Sequence, residues 1–387
     1  MSDSLNIKQN YKDAILCDKD IVYFDDILQA LCKWDIENNR VTIIMKYDGE
    51  IFTSFRIFRG ENCIYITSAK NADILIYDEN EGSFLLKSHT FKNNLKVIVT
   101  QACMLNRNIW ILYQQAAKAP IIHYDIDRGQ FVEQEFLLNY LHEREAWLPF
   151  ASSNSGCFWA TVHGTNHYLK IDPLKEHVEE YTLEDQYTKL ASMYSDNQNN
   201  VFTMLDSKKL IINGNTYSMM TDEHSVKENY SYCIGLSECV VILPRFGNEI
   251  AIFGKNTKSV SIVRPNWGSI PECDFYGISK VVGCYENYGY IYLCPQNISV
   301  IVRINKDTLQ TDLIMPKFSA EIYMRTLYKR KNPRYMFILE KNFGDKNTAL
   351  NALLSCVEEV DSTEKEKQKT VYSYGEQIHN SILGEMR

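Results

Sequence analysis

The sequence predicts an all-β protein assembled from seven copies of one four-stranded unit. Three observations support this fold class: a strand ending that recurs every roughly 40–50 residues, apolar runs rich in β-branched and aromatic residues, and turn-forming residues between them. Each ending is an aromatic or aliphatic residue followed by Asp, Asn or Gly. The second residues of these endings are Asp35, Asp78, Asp125, Asp172, Asn213, Gly254 and Asn305.

The first two strands of each unit are predicted from a short turn and the apolar run that follows it. Segments 54–58, 97–100 and 280–283 precede turns at 60–62, 106–108 and 286–289, which predicts an inner strand before each turn. The second strands are apolar on both faces, as expected for sheets that are covered on both sides. These runs lie at 21–24, 63–66, 109–112, 157–160, 201–204, 240–243 and 291–294.

The third strand of each unit ends at a residue that closes a turn. Asp and Asn side chains accept hydrogen bonds from backbone amides two residues further on, and Gly and Asn tolerate positive φ. Segments 78–82 and 125–129 each begin with Asp and end with Gly. They therefore predict hairpins that connect the third strand to a fourth, outer strand.

This pattern resembles the β-propeller superfamily, in the broad sense that includes WD40, kelch and YVTN-like propellers. The resemblance covers about residues 13–318, and Trp34-Asp35 and the Tyr-Asp pairs share part of a WD ending. No Gly-His…Trp-Asp signature, kelch double glycine or sialidase Asp-box is present. The resemblance implies a seven-bladed propeller of four-stranded blades and names no narrower family.

An eighth, partial blade is the alternative to a ring of seven. Segments 322–327 and 335–339 form two more strand-like runs, and residues 5–8 could join them to close the ring through both termini. A pair of β-sandwiches is the other structural alternative, but seven matched units argue against it. We therefore predict a propeller domain over residues 1–340.

Residues 341–387 are predicted to form a C-terminal helical tail. Ala349, Leu353, Val357 and Val360 share one helical face, and a charged segment, 361–369, follows them. A second amphipathic helix places Ile378, Ile382 and Met386 at intervals of four residues. This stripe is predicted to dock either on the propeller itself or on a protein partner.

Charge and cysteine content narrow the function classes. With 41 Lys and Arg against 49 Asp and Glu, the net charge is −8, which disfavours a nucleic-acid partner. No apolar run reaches the length of a membrane span, and the first residues lack the pattern of a signal peptide. The 11 cysteines include no Cys-x-x-Cys pair. We therefore predict a cytoplasmic protein whose cysteines are reduced, with no membrane span.

Candidate chemistry in the sequence is sparse. His163 and His167 have the spacing of a helical metal site, but they lie in a connection between strands, so no metal is predicted. Asp25 and Asp26 could serve acid–base chemistry, although adjacent side chains in a strand point apart. No cofactor is predicted, and the sequence leaves open whether the protein is an enzyme.

On the propeller arrangement, the loops between second and third strands converge on one face with the connections between blades. This face is predicted to bind a polar ligand, since amides bond hydroxyls and flat aromatic rings stack on sugars. The ligand-binding candidates are Gln114, Trp147, His163, Asn166, Arg245, Trp267 and Gln296. Ordinary solvation of polar loops is the alternative interpretation.

Two function classes remain. The first is a non-catalytic cytoplasmic binding or scaffold protein that recognises a glycan, a peptide or a protein partner at the loop face. The second is a propeller enzyme, a lyase or a glycan-active enzyme, with its site at the channel mouth. Residues 374–383 resemble tail helices of bacterial cell-surface-polysaccharide proteins, which favours a bacterial protein and a glycan ligand. Because propellers host both classes, the absence of a catalytic motif favours binding.

Overall fold

A computed structural model describes the chain from residue 13 to residue 314. Its gaps lie at 18–19, 27, 92–96, 114–120, 135, 137–150, 155, 163, 186–187, 197, 205–208, 219–228, 247–248, 266–280, 288 and 296–300. The described residues contain 28 strands, all within one compact unit, Gln9–Pro316. The fold is all-β, as predicted.

The strands form seven antiparallel sheets of four, the blades. Blade 1 comprises β1 (Ala14–Cys17), β2 (Asp20–Asp25), β3 (Ala30–Asp35) and β4 (Arg40–Lys46). Blade 2 comprises β5 (Ser54–Arg59), β6 (Cys63–Ser68), β7 (Ala72–Asp78) and β8 (Ser83–His89). Blade 3 comprises β9 (Val99–Leu105), β10 (Asn108–Tyr113), β11 (Ile121–Asp125) and β12 (Gln130–Gln134).

The remaining four blades follow the same plan. Blade 4 comprises β13 (Ala151–Asn154), β14 (Cys157–Thr161), β15 (His167–Asp172) and β16 (His177–Thr182). Blade 5 comprises β17 (Leu190–Ser195), β18 (Asn200–Met204), β19 (Lys209–Ile212) and β20 (Asn215–Ser218). Blade 6 comprises β21 (Asn229–Gly235), β22 (Cys239–Phe246), β23 (Ile250–Gly254) and β24 (Val260–Val263). Blade 7 comprises β25 (Val281–Asn287), β26 (Tyr290–Pro295), β27 (Ile301–Asn305) and β28 (Thr311–Ile314).

The seven blades form a propeller ring. In every blade the order of strands in the sheet is their order in the chain, so each strand is joined to the next by a hairpin. First strands of neighbouring blades contact each other from blade 1 to blade 6, a buried apolar cluster joins blades 6 and 7, and β1 contacts β25. Blade 7 therefore adjoins blade 1 directly, and the seven-bladed prediction is confirmed.

Turn chemistry accounts for the strand endings. Oδ1 of Asp78 accepts the amide N–H of Asn80 at 2.9 Å, and Oδ1 of Asn305 accepts that of Asp307 at the same distance. In blade 5, Asn213 and Gly214 form a two-residue hairpin with φ of 50° and 81°. All seven predicted endings lie at the end of a third strand or directly after it.

The core lies between the blades. A cluster of buried apolar side chains fills each junction from blades 1 and 2 to blades 6 and 7. Strand β10 explains why the second strands are apolar throughout: Ile109 and Ile111 pack toward blade 2, whereas Trp110 and Leu112 pack toward blade 4. Alternate residues of one strand thus serve two different interfaces.

The predictions for both ends of the chain lie outside the described residues. They include the partial eighth blade at 322–339 with residues 5–8, the domain boundary at 340, and the tail helices with Ile378, Ile382 and Met386. These remain predictions.

Candidate functional site

The two faces of the ring carry different loops. The upper face carries the loops between second and third strands and the connections between blades, while the lower face carries the remaining hairpin turns. The seven predicted ligand-binding residues were assigned to the upper face from the sequence. Five of them fall outside the described residues: Gln114, Trp147, His163, Trp267 and Gln296.

The other two lie in blades 4 and 6. Arg245 is in β22, whose backbone pairs with β21 on one side and β23 on the other. Asn166 precedes β15, and its amide is only 9% exposed. Nδ2 of Asn166 donates to the Leu183 carbonyl at 2.8 Å, and the Leu183 N–H donates to the Asn166 carbonyl at 3.0 Å. In this arrangement the Asn166 side chain ties the start of β15 to the end of β16.

The adjacent acids of blade 1 point in different directions. Asp25 is completely buried, and its Oδ1 accepts the Leu28 amide N–H at 2.8 Å. Asp26 instead reaches blade 2, where its Oδ1 accepts the amide N–H of Ser54 at 3.0 Å and its hydroxyl at 2.5 Å. Each carboxylate therefore serves the loop structure.

Gln29 completes this attachment. Its Nε2 donates to the carbonyls of Asp26 and Phe52, both at 2.6 Å, and its Oε1 accepts the Phe52 amide N–H at 2.6 Å. Gln29 is 1% exposed and has a φ of 52°. The buried amide thus fastens the loop of blade 1 to the connection that leads into blade 2.

The connection and the next loop continue this hydrogen-bonded array. The Ala69 N–H donates to the Thr53 carbonyl at 2.8 Å, the Asn71 N–H to the Val97 carbonyl at 3.1 Å, and the Val99 N–H to the Ala69 carbonyl at 3.2 Å. Lys70 forms an isolated antiparallel bridge with Ile98. Segments 51–53, 68–71 and 97–99 therefore lie side by side on the upper face.

Four exposed side chains project from this array, and we call them the blade 2 patch: Ile51, Lys70, Asn71 and Ile98. Ile51 is 76% exposed and Ile98 is 51% exposed. Their neighbours Phe52, Val97 and Val99 are buried, so the alternation of the backbone places the two isoleucines outward. The patch combines aliphatic surface with one cation and one amide.

The sequence predicted that the loops between second and third strands lie on this face, and Lys70 and Asn71 lie in the loop of blade 2, but Ile51 and Ile98 were missed. An isoleucine in a connection between predicted strands was the available signal, yet its exposure depends on which neighbours are buried. The position of Ile98 beside Lys70 could not be anticipated, because it results from the bridge between blade 2 and the connection to blade 3.

Only His167 of the histidine pair lies among the described residues. Nδ1 of His167 lies 2.7 Å from Oε1 of Glu180, across the β15–β16 pair. Among the described residues no group of three or more His, Cys, Asp or Glu side chains is placed to hold a metal ion. These residues also include no helix with the length and apolarity of a membrane span.

Comparisons with known proteins identify the fold but no family. No family model matches the chain, and no curated protein matches it. Among solved structures, Sqt1 of Saccharomyces cerevisiae has a TM-score of 0.54 at 8% identity, with 81% of this chain and 89% of that chain covered. The computationally designed protein Ika8 has a TM-score of 0.51 at 11% identity, with coverage of 80% and 87%.

A third similar structure is PorZ of Porphyromonas gingivalis, described as an essential bacterial surface component of the type-IX secretion system. Its TM-score is 0.52 at 9% identity, and the match covers 81% of this chain but only 39% of PorZ. Identities this low establish the propeller fold alone.

Proposed function

We propose that the protein is a non-catalytic binding protein that docks a peptide or protein partner on its upper face, at the blade 2 patch. The observation that supports this most directly is the pair of exposed isoleucines, Ile51 and Ile98, on two segments that are each hydrogen-bonded to segment 68–71. Apolar side chains fixed in this way offer binding free energy without a large cost of ordering on association.

The chemistry of the patch favours a peptide over a sugar. Burial of an exposed isoleucine contributes up to about 2 kcal/mol, and Lys70 and Asn71 can satisfy backbone or side-chain polar groups at the edge. Sugars instead stack on aromatic rings, and the blade 2 patch has aliphatic side chains. Glycan recognition by Trp147 or Trp267 remains a prediction from the sequence.

The arrangement of the acids supports a non-catalytic role. A general acid or base must reach a substrate, but Asp25 and Asp26 are engaged by backbone and hydroxyl donors of the loops themselves. Their hydrogen bonds make the upper face rigid, which is useful for a surface that binds.

The cytoplasmic location is also a proposal, supported by the cysteines. The side chains of eight of them are described, and all eight are free thiols. Reduced cysteines are typical of proteins in a reducing compartment.

The test is a peptide selection on the full chain. A random peptide library displayed on phage is selected against the wild-type protein, and affinities of the enriched peptides are measured by fluorescence anisotropy. We expect Ile51→Asp and Ile98→Asp each to weaken binding by about ten-fold or more, since a charge replaces a buried apolar contact.

Leu174→Asp is the matched control, because Leu174 is 68% exposed on the lower face, in the β15–β16 turn. It should leave peptide affinity unchanged. A selection without enrichment, or peptides that bind both upper-face variants normally, would contradict the proposal. Circular dichroism of each variant establishes that it is folded.

A further inference from the structure

A cleft on the lower face, between blades 2 and 3, is separate from the blade 2 patch. It has a volume of about 390 Å³ and is lined by side chains that include Arg59, Glu61, Tyr65, Met104, Arg107 and Ile126. A volume of this order is in the range of small-molecule sites. The cleft therefore has room for a ligand about the size of an amino acid or a dipeptide.

The walls of the cleft are held by backbone hydrogen bonds between turns. The Glu79 N–H donates to the Asn62 carbonyl at 3.0 Å in blade 2, and the Ile126 N–H donates to the Arg107 carbonyl at 3.1 Å in blade 3. Gly60 lets the Tyr65 ring approach, because a Cβ there would meet the ring at 2.7 Å. The cleft is thus a preformed feature of the two blades.

Arg107 occupies a backbone position that ordinarily suits glycine. Asn106 and Arg107 form the two-residue turn between β9 and β10, with φ of 48° and 58°. Another two-residue turn, between β19 and β20 of blade 5, uses Asn213 and Gly214, the usual pair for such a hairpin. A side chain kept at an unfavourable φ suggests that the side chain itself is needed.

The guanidinium of Arg107 is only partly used within the protein. Nε of Arg107 donates to Oδ1 of Asp127 at 2.7 Å, and the side chain is 58% exposed. Within the described residues the hydrogen bonds of this side chain involve Nε alone, which leaves its terminal nitrogens as donors. Arg59, paired with Glu79 at 2.6 Å, adds a second positive charge at the edge of the cleft.

The balance of charge and apolar surface defines the ligand class. Arg59 and Arg107 are each paired with a carboxylate, Glu79 and Asp127, and Glu61 also lines the cleft, so the cleft has no surplus of positive charge. The terminal N–H donors of Arg107 can bind one carboxylate, whereas the same three acids disfavour a phosphate dianion more strongly than a monoanion. Tyr65, Met104 and Ile126 supply an apolar surface beside the cations.

We propose that this cleft binds a carboxylate attached to an aromatic or aliphatic body. Two sources share this chemistry: a free aromatic carboxylic acid, and the C-terminal residue of a peptide chain. In both cases the carboxylate meets the terminal nitrogens of Arg107, and the apolar body covers Tyr65 and Met104.

The experiment is a ligand-observed NMR titration of the full chain with four probes. N-acetylphenylalanine carries the carboxylate and the ring, N-acetylphenylalaninamide lacks the charge, and phenyl phosphate carries a dianion. A peptide ending in phenylalanine with a free carboxylate distinguishes the two sources. We expect N-acetylphenylalanine to bind and the amide to bind about ten-fold more weakly or worse. Tighter binding of the peptide would identify a chain terminus as the ligand, and equal binding would identify the free acid.

Arg107→Gly separates binding from folding, since glycine suits the φ of 58°. This variant should stay folded and lose at least about ten-fold in affinity for N-acetylphenylalanine. Arg128→Gln is the matched control, because Arg128 is exposed on the neighbouring turn and pairs with Asp125. The control should change affinity by less than about two-fold. Equal binding of acid and amide, tighter binding of phenyl phosphate, normal binding by Arg107→Gly, or no binding at all would overturn the proposal.

Discussion

Asp26 illustrates how one side chain fixes the relation between two blades. Its Oδ1 accepts both the backbone N–H and the hydroxyl of Ser54, which begins β5. Gln29 adds bonds to Phe52 in the same connection. At the residue scale, the acids and amides of the upper face are structural groups that hold loops in place.

This role predicts a measurable loss of stability for Asp26→Ala. The substitution leaves the two Ser54 donors without their acceptor, so the free energy of unfolding should fall by about 1–3 kcal/mol. This loss is measured by urea denaturation, with circular dichroism as the probe of unfolding. Asp48→Ala, an exposed position in the same connection, should change stability by less than about 0.5 kcal/mol. An equal effect of both variants would show that Asp26 does not fasten the blades.

At the scale of the element, turns determine where strands begin and end. The third strands end at Asp, Asn or Gly because those residues satisfy or permit the turn that follows. Five of the seven endings use a side-chain oxygen that accepts a backbone N–H two or three residues later. The turn after Ile212 instead depends on backbone conformation.

Gly214→Ala tests that dependence. Gly214 has a φ of 81° and open space around it, so the added methyl group meets no neighbour and the cost is conformational. We expect a loss of about 1 kcal/mol in the free energy of unfolding. Asn106→Gly, which places glycine at a φ of 48°, should cause no loss. If Gly214→Ala were as stable as the wild type, the turn would have to adopt another conformation.

These local rules explain which parts of the fold could be read from the sequence. The endings from Asp35 to Asn305 are local signals, so they predicted seven four-stranded blades correctly. The blade 2 patch depends on the segments of Ile51 and Ile98 both bonding to segment 68–71, and the lower cleft depends on Arg59 and Arg107 lining one space from two blades. Such juxtapositions arise only when the ring packs, so no local pattern could reveal them.

At the scale of the whole molecule, charged side chains connect neighbouring blades in addition to the apolar clusters. Glu286 of blade 7 accepts the Ser237 N–H of blade 6 at 2.5 Å and lies 3.2 Å from Nζ of Lys306, which also pairs with Glu238 of blade 6. Burial alone raises the pKa of Glu286, but the hydrogen bonds from Ser237 and Lys306 outweigh it and hold the pKa below 4.5.

The lowered pKa of Glu286 predicts that the junction of blades 6 and 7 becomes less stable in acid. Since the folded state holds the Glu286 proton less tightly than the unfolded chain, its stabilisation is complete above pH 4.5 and is lost as the pH falls through the lowered pKa. Glu286→Gln should therefore be less stable than the wild type at pH 7, and the difference should shrink below pH 4.5. Urea denaturation across this pH range tests it, with the exposed Glu81→Gln as control. If the free energies of unfolding of the wild type and Glu286→Gln differed by the same amount at every pH, the ionised Glu286 would not be the stabilising group.

The junction of blades 7 and 1 joins strands that are far apart in the chain. Asp13, directly before β1, accepts the Ile57 N–H and pairs with Arg56 of blade 2, and the Tyr285 hydroxyl of blade 7 donates to it at 3.2 Å. Among the described residues every blade is built from consecutive strands, so no described strand is exchanged across this junction. Opening the described part of the ring here would break no β-ladder within a blade, so it is separable from unfolding of any blade. Amide hydrogen exchange should then show that the amides of β1 and β25 exchange through a local opening of this junction, independently of the unfolding of any blade.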